Sequence, residues 1–154
     1  MTHYQIQSSR STNNKKPQKH ILFMKITLVV FWGIFLLLST WTENLEQLLD
    51  LQSVGFSWVS KPDLLSFFYF NDLTLIHPDY LIVKLGHFIG FAVMDLLLFN
   101  LIKSHKFSIG LSISLALLTE ILQLFFGRDG RLYDLVIDSL GVLLVFFILK
   151  KLKL

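Results

Sequence analysis

LLTEILQLFFGRDGRLYDLVIDSLG, residues 117–141, is the stretch whose reading decides the fold. It leaves the apolar end of one candidate membrane span, passes through the polar turn Gly127, Arg128, Asp129, Gly130, Arg131, and enters a second span that begins with Asp134 and Asp138. On a helix, Glu120 and Gln123 share one face, and Asp134, Asp138 and Gly141 share another, because residues three and four apart are neighbours on a helical surface. The short turn aims both faces at one neighbourhood. Ionisable groups inside membrane spans are costly and by default mark a functional or packing site within the bundle. The rest of the chain is therefore read as supplying partners for this cluster.

Composition supports a membrane protein. Of 154 residues, 53% are hydrophobic and the mean hydropathy is +0.60. Soluble domains sit near about 45 to 50% even with glycine counted. The length fits one domain, so any chemistry takes place in or at the membrane. Cysteine is absent, which excludes disulfides, thiolate metal sites and thiol nucleophiles. The net charge is +3, but the basic residues flank apolar runs, where orientation in the bilayer explains them. Nucleic acid is not an expected partner; the lipid bilayer is.

Outward from the central stretch, four apolar runs appear, at about 21–41, 82–102, 107–126 and 132–149. Each suits a spanning helix of roughly 20 residues. Residues 1–20 are polar and basic and read as a disordered tail. A signal peptide is disfavoured, because the first run is longer than the usual apolar region and lacks a small-x-small site before Trp41. Residues 42–81 are acidic and connect the first two runs. Within them Leu45, Leu48, Leu49 and Gln52 recur at helical spacing, Phe67 to Phe70 are aromatic enough for the headgroup level, and Pro62 and Pro78 act as breakers. On the second run Lys84, His87, Phe91 and Asp95 fall in one stripe, on the third Ser112, Thr119, Glu120 and Gln123 share a side, and on the fourth Arg131, Asp134, Asp138, Gly141 and Val145 do. Gly86 and Gly90 form a Gly-xxx-Gly that would permit close helix approach. His77 and His105 read as solvated.

The basic flanks, namely the amino-terminal tail, Lys103/Lys106 and Lys150 to Lys153, contrast with the acidic connecting region. Four spans with both termini cytoplasmic satisfy them, leaving Arg128 and Arg131 on the disfavoured outer side. With a rise of 1.5 Å per residue, His87 lies roughly 8 to 9 Å below the start of its span, Glu120 about 10 Å from the end of its own, and Asp138 about 10 Å below Arg131. Three helices thus place polar groups at one level. Asp95 lies roughly 20 Å in.

The order Lys84, His87-Phe88, then Glu120 and Gln123, then Gly127-Arg128, Asp134, Asp138 and Gly141 resembles the VanZ-like family of small bacterial membrane proteins, over about residues 79–147. Arg131 is an additional basic residue relative to that pattern. The resemblance implies a three-helix core at 79–149 and a protein of the cell membrane and envelope. It also implies a part in resistance to glycopeptide antibiotics, teicoplanin in particular.

The expected architecture is an all-α bundle of four transmembrane helices. Lys84, His87, Glu120, Gln123, Arg128, Arg131, Asp134 and Asp138 are the candidate site residues. One reading makes them a hydrogen-bonded network that fixes helix packing. Another makes them a site for an anionic or amide-bearing envelope ligand, with the two arginines as recognition forks. A third is a membrane-embedded enzyme or small transporter acting on a lipid-linked envelope intermediate, with His87 as general base and Glu120 or Asp134 as its partner. No Gly-x-Ser-x-Gly, Cys–His pair or His-Glu-x-x-His supplies a nucleophile or zinc motif. One histidine among hard oxygens specifies neither a metal nor its geometry, so no metal or cofactor is expected from the residues alone.

Because the chain has no native cysteine, topology can be read by single-cysteine labelling. Asp63→Cys should react with an impermeant maleimide in intact cells, and Ser104→Cys and Lys151→Cys only after permeabilisation. Protection of residue 63 in intact cells would overturn the common outer level of the polar groups.

Overall fold

The computed structural model describes residues 15–42, 55–70 and 78–153, without the side chains of 15–17 and 78–80. The expected disordered tail up to residue 14, the expected helix near 45–52 and His77 lie outside the described residues. Four long helices carry the fold: α1 (Lys15–Trp41), α2 (Pro78–Ile102), α3 (His105–Phe125) and α4 (Leu132–Lys151). Each is long and apolar enough to cross a membrane, and no strand occurs among the described residues. The protein is an all-α bundle of four spans.

The helix boundaries follow local chemistry. α1 starts at Lys15, ahead of the expected start near residue 21. Lysine and glutamine are good helix formers, which favours helix ahead of the apolar run. Pro78, expected as a breaker, is the first described residue of α2. Lys103, at φ 60°, ends α2 in the left-handed region, with its N–H on the Phe99 carbonyl at 2.8 Å. His105 is part-buried rather than solvated, stacked on Phe99 at a ring separation of 4.4 Å.

Packing is densest between α2 and α4, with α3 against both. α1 is the least enclosed span and meets α2 through Leu36, in a core shared with Phe91, Met94, Leu98, Ala116 and Val142. Outward-facing side chains such as Phe31, Ile89, Leu118 and Phe147 are exposed, which in lipid costs nothing. Helices in a bilayer associate through close packing and polar contacts, so small residues gather at their crossings. Ser108, Ser112, Ala116 and Gly141 are all buried here. A Cβ on Gly141 would lie 2.2 Å from the Phe88 carbonyl oxygen, so glycine sets the separation of α2 and α4. Gly90 carries the α1 contact: a Cβ there would meet Leu36 at 2.7 Å, and the Trp32 indole N–H donates to the Gly90 carbonyl at 2.9 Å. A Cβ on Gly86 would meet nothing within 4 Å among the described residues, so of the Gly-xxx-Gly pair it is Gly90 that mediates a helix contact there.

The turn between α3 and α4 folds back on α3. Gly127 adopts φ +64° and the Arg128 N–H returns to the Gln123 carbonyl at 2.9 Å, a Schellman-type termination. A Cβ on Gly130 would fall 1.9 Å from the Glu120 carbonyl oxygen. Residues 55–70 cover this turn, the Val59 N–H donating to the Phe125 carbonyl at 2.7 Å and Trp58 stacking on Phe125, while Trp41 at the end of α1 stacks on Phe126 at 4.9 Å. A short 3-10 helix, Leu64–Phe68, follows Asp63, whose side chain accepts the Leu65 N–H. It leaves Leu64, Leu65 and Phe68 exposed, with Tyr69 and Phe70 exposed beyond it, the side chains an interfacial segment presents to headgroups.

Gly141→Ala should lower the thermal midpoint of the detergent-purified protein, the added methyl costing about 1–3 kcal/mol through overpacking. Gly110→Ala, where nothing lies within 4 Å, should leave the midpoint unchanged or raise it by the usual helix gain. Equal midpoints for the two variants would mean that the close crossing does not exist.

Candidate functional site

Each of the three core helices delivers part of one buried polar cluster. α2 supplies Lys84 and His87, one turn apart; α3 supplies Glu120 and Gln123; α4 supplies Asp134 and Asp138. Glu120, Gln123, Asp134 and Asp138 are buried. Lys84 and His87 form the margin, with side chains 15% and 13% exposed. The expected stripes therefore converge, and the crossing at Gly141 is what brings them within reach: Asp138 lies one turn before it on α4, and Phe88, whose carbonyl it meets, follows His87 on α2.

The cluster has two halves. In one, the Lys84 ammonium donates to Asp134 Oδ2 and lies 5.0 Å from the centroid of the Tyr133 ring, an ion pair with a cation–π contact beside it. In the other, His87 Nδ1 faces Glu120 Oε1 at 3.7 Å and Asp138 Oδ1 at 3.5 Å. Glu120 is the best-held member. Its Oε2 accepts the Arg131 backbone N–H at 2.9 Å, and Gln123 Nε2 reaches Oε1 at 3.4 Å. Asp138 is the opposite case: although fully buried, neither of its carboxylate oxygens has a hydrogen-bond partner among the described residues. The same holds for Asp134 Oδ1 and His87 Nδ1. Buried polar atoms of this kind are rare, and each calls for an explanation in the chemistry of the site. Three donor atoms, one each from His87, Glu120 and Asp138, lie within 4.8 Å of one another, an arrangement able to surround a small cation.

The guanidinium groups of the two arginines reach backbone carbonyls and a neighbouring carboxylate. Arg128 donates through Nη1 to the Thr42 carbonyl, at the end of α1. Arg131 donates through Nη1 to the Ser66 carbonyl at 2.8 Å and through Nη2 to Asp129 at 2.9 Å. These guanidinium contacts fasten residues 42 and 66 over the α3–α4 turn, and it is the Arg131 peptide N–H that reaches the cluster. Sequence reasoning missed Thr42 and Ser66, since both act through backbone carbonyls and any residue type would serve. It also missed Tyr133, for which adjacency to Asp134 is the available hint. Asp95 belongs to a separate spot deeper between α2 and α3, where Ser112 donates to its Oδ1 at 3.4 Å.

A family model described as VanZ/LLP1 matches residues 2–153, nearly the whole chain. Among curated proteins, the "Uncharacterized membrane protein YwnJ" of Bacillus subtilis (strain 168) is 35% identical over 119 residues, which is 77% of this chain and 85% of that protein. No solved structure matches.

The Lys84–Asp134 pair provides a direct check of the cluster. Lys84→Met and Asp134→Asn should each destabilise the inserted protein, because each strands a partly buried opposite charge, and the double variant should lose less than the sum. The coupling energy from thermal unfolding in detergent should fall between about 0.5 and 3 kcal/mol. Additive losses would show that the two side chains do not touch.

Proposed function

This chain belongs to the VanZ/LLP1 family, and from that premise we propose that it acts at the cell envelope, lowering susceptibility to the lipidated glycopeptide teicoplanin by binding an envelope ligand in the buried cluster. In this reading both termini are cytoplasmic, and the α3–α4 turn, with residues 55–70 folded over it, faces outward.

The observation that carries the proposal is the unused hydrogen-bonding capacity. A cluster that served packing alone would satisfy its own members, since an unmade buried bond costs about 1–3 kcal/mol. Here Asp134 Oδ1 and both Asp138 oxygens are unspent acceptors, and the partly exposed Lys84 and His87 give access to them. Acceptors favour a ligand that donates. Of the two ligand chemistries considered, the amide-bearing one fits better than the anionic one, because three carboxylates would repel an anion and the guanidinium groups are engaged with loop carbonyls. The exposed aromatic and aliphatic side chains of residues 64–70 give a lipid-linked ligand an apolar surface beside the site.

A second reading, a membrane-embedded enzyme, draws on His87 Nδ1 standing between two carboxylates, an arrangement that can move a proton. Turnover of a lipid-linked envelope intermediate would then vanish in His87→Gln or Glu120→Gln while insertion into the membrane persisted.

Expression of the wild-type chain in a susceptible Gram-positive host should raise the inhibitory concentration of teicoplanin more than that of vancomycin. Glu120→Gln, present at equal membrane abundance, should abolish the difference. Equal effects on the two drugs, or none, would remove the resistance reading.

A further inference from the structure

We propose that His87, Glu120 and Asp138 form a binding site for one divalent transition-metal cation of the zinc or manganese type, held between α2, α3 and α4. The geometry supplies what residue type alone left open. Zinc bonds to imidazole nitrogen and carboxylate oxygen are about 2.0–2.2 Å, so neighbouring donors around a tetrahedral ion stand about 3.4 Å apart. His87 Nδ1 stands 3.5 Å from Asp138 Oδ1 and 3.7 Å from Glu120 Oε1. Those separations are too long for good hydrogen bonds, yet they are within a few tenths of an ångström of the edges of a coordination polyhedron.

Three further features point to a cation. Asp138 is fully buried, aimed at His87, and has no hydrogen-bond partner among the described residues for either oxygen; an ion bound at Oδ1 would reduce that cost and leave Oδ2, with Asp134 Oδ1, as acceptors for the ligand of the proposed function. Charge agrees: with Lys84 engaged on Asp134, the carboxylates of Glu120 and Asp138 face a single imidazole, and a divalent ion balances them with His87 neutral, the form in which histidine binds metals. The ligands are also supported from behind. Glu120 is fixed by the Arg131 N–H and by Gln123, as liganding carboxylates are in established sites. One imidazole with two carboxylates and no thiolate selects borderline to hard divalent ions. Three protein donors leave a coordination position for a ligand or water, and the partly exposed His87 marks the way in.

The test uses the full chain in detergent, stripped with a chelator and then titrated with Zn²⁺ alone and with Mn²⁺ alone, stoichiometry being measured by elemental analysis after gel filtration. One ion per chain is expected for at least one of the two metals, with a rise in thermal midpoint on binding, because a ligand of the folded state stabilises it. Asp138→Asn and His87→Ala should each weaken binding by tenfold or more, and Gln123→Ala, which alters only the support of Glu120, by roughly tenfold, the low end for such partners. Asp95→Asn, at the separate deeper spot, should bind as wild type, which guards against general damage by removal of a buried charge. Substoichiometric metal in the wild type, or binding indifferent to both Asp138→Asn and His87→Ala, would overturn the proposal and leave a proton shared among the three side chains as the way their charge is balanced. The measurement involves no glycopeptide, so its failure leaves the resistance reading intact, and equal drug susceptibilities would leave the metal site intact.

Discussion

α4 can lie against α2 only because residue 141 has no side chain. The Phe88 carbonyl occupies the space a Cβ would need, and the two helices approach to a distance that longer residues would forbid. In lipid there is little hydrophobic gain from pressing apolar helices together, so close contact of this kind and the polar groups it unites must hold the bundle. The crossing does both at once. It makes the tightest helix contact, and one turn away it sets Asp138 against His87.

That placement explains how charges are tolerated at membrane depth. An isolated carboxylate in an apolar medium is prohibitively costly. The chain gathers three of them at a single level and gives two some compensation: an ammonium on Asp134, and a backbone N–H with an amide side chain on Glu120. Asp138 receives His87 at a longer distance. The compensation is graded, and the least satisfied residue sits deepest on α4, opposite the partly exposed margin.

The connecting segment belongs to the same construction. Arg128 and Arg131 leave the turn toward the carbonyls of Thr42 and Ser66, so the covering residues are tied to the same short loop whose peptide N–H holds Glu120. Arg131 thus joins the two, its side chain on the Ser66 carbonyl and its peptide N–H on Glu120. Trp58 and Trp41 stack on Phe125 and Phe126, the residues that close α3 before the turn.

The sequence by itself determined the four spans, since length and hydropathy alone require them, and the polar stripe on each core helix, since helical periodicity is a local property. It also picked out Lys84, His87, Glu120, Gln123, Asp134 and Asp138 as polar groups within apolar runs, because such groups are visible there without a structure. It did not identify the partners of the arginines within the chain. A guanidinium has several partners it can satisfy, and only the path of residues 42 and 66 over the turn decided that two of them are backbone carbonyls, which carry no residue signature. The stacking of His105 on Phe99 was likewise decided by context that composition does not record. The pairing within the cluster was also left to tertiary structure. Lys84 meets Asp134, and His87 stands between Glu120 and Asp138, because of the separation and rotation of α2 and α4 at Gly141. Sequence spacing fixes which side chains share a face, whereas the facing of one helix by another is set by packing at their crossing.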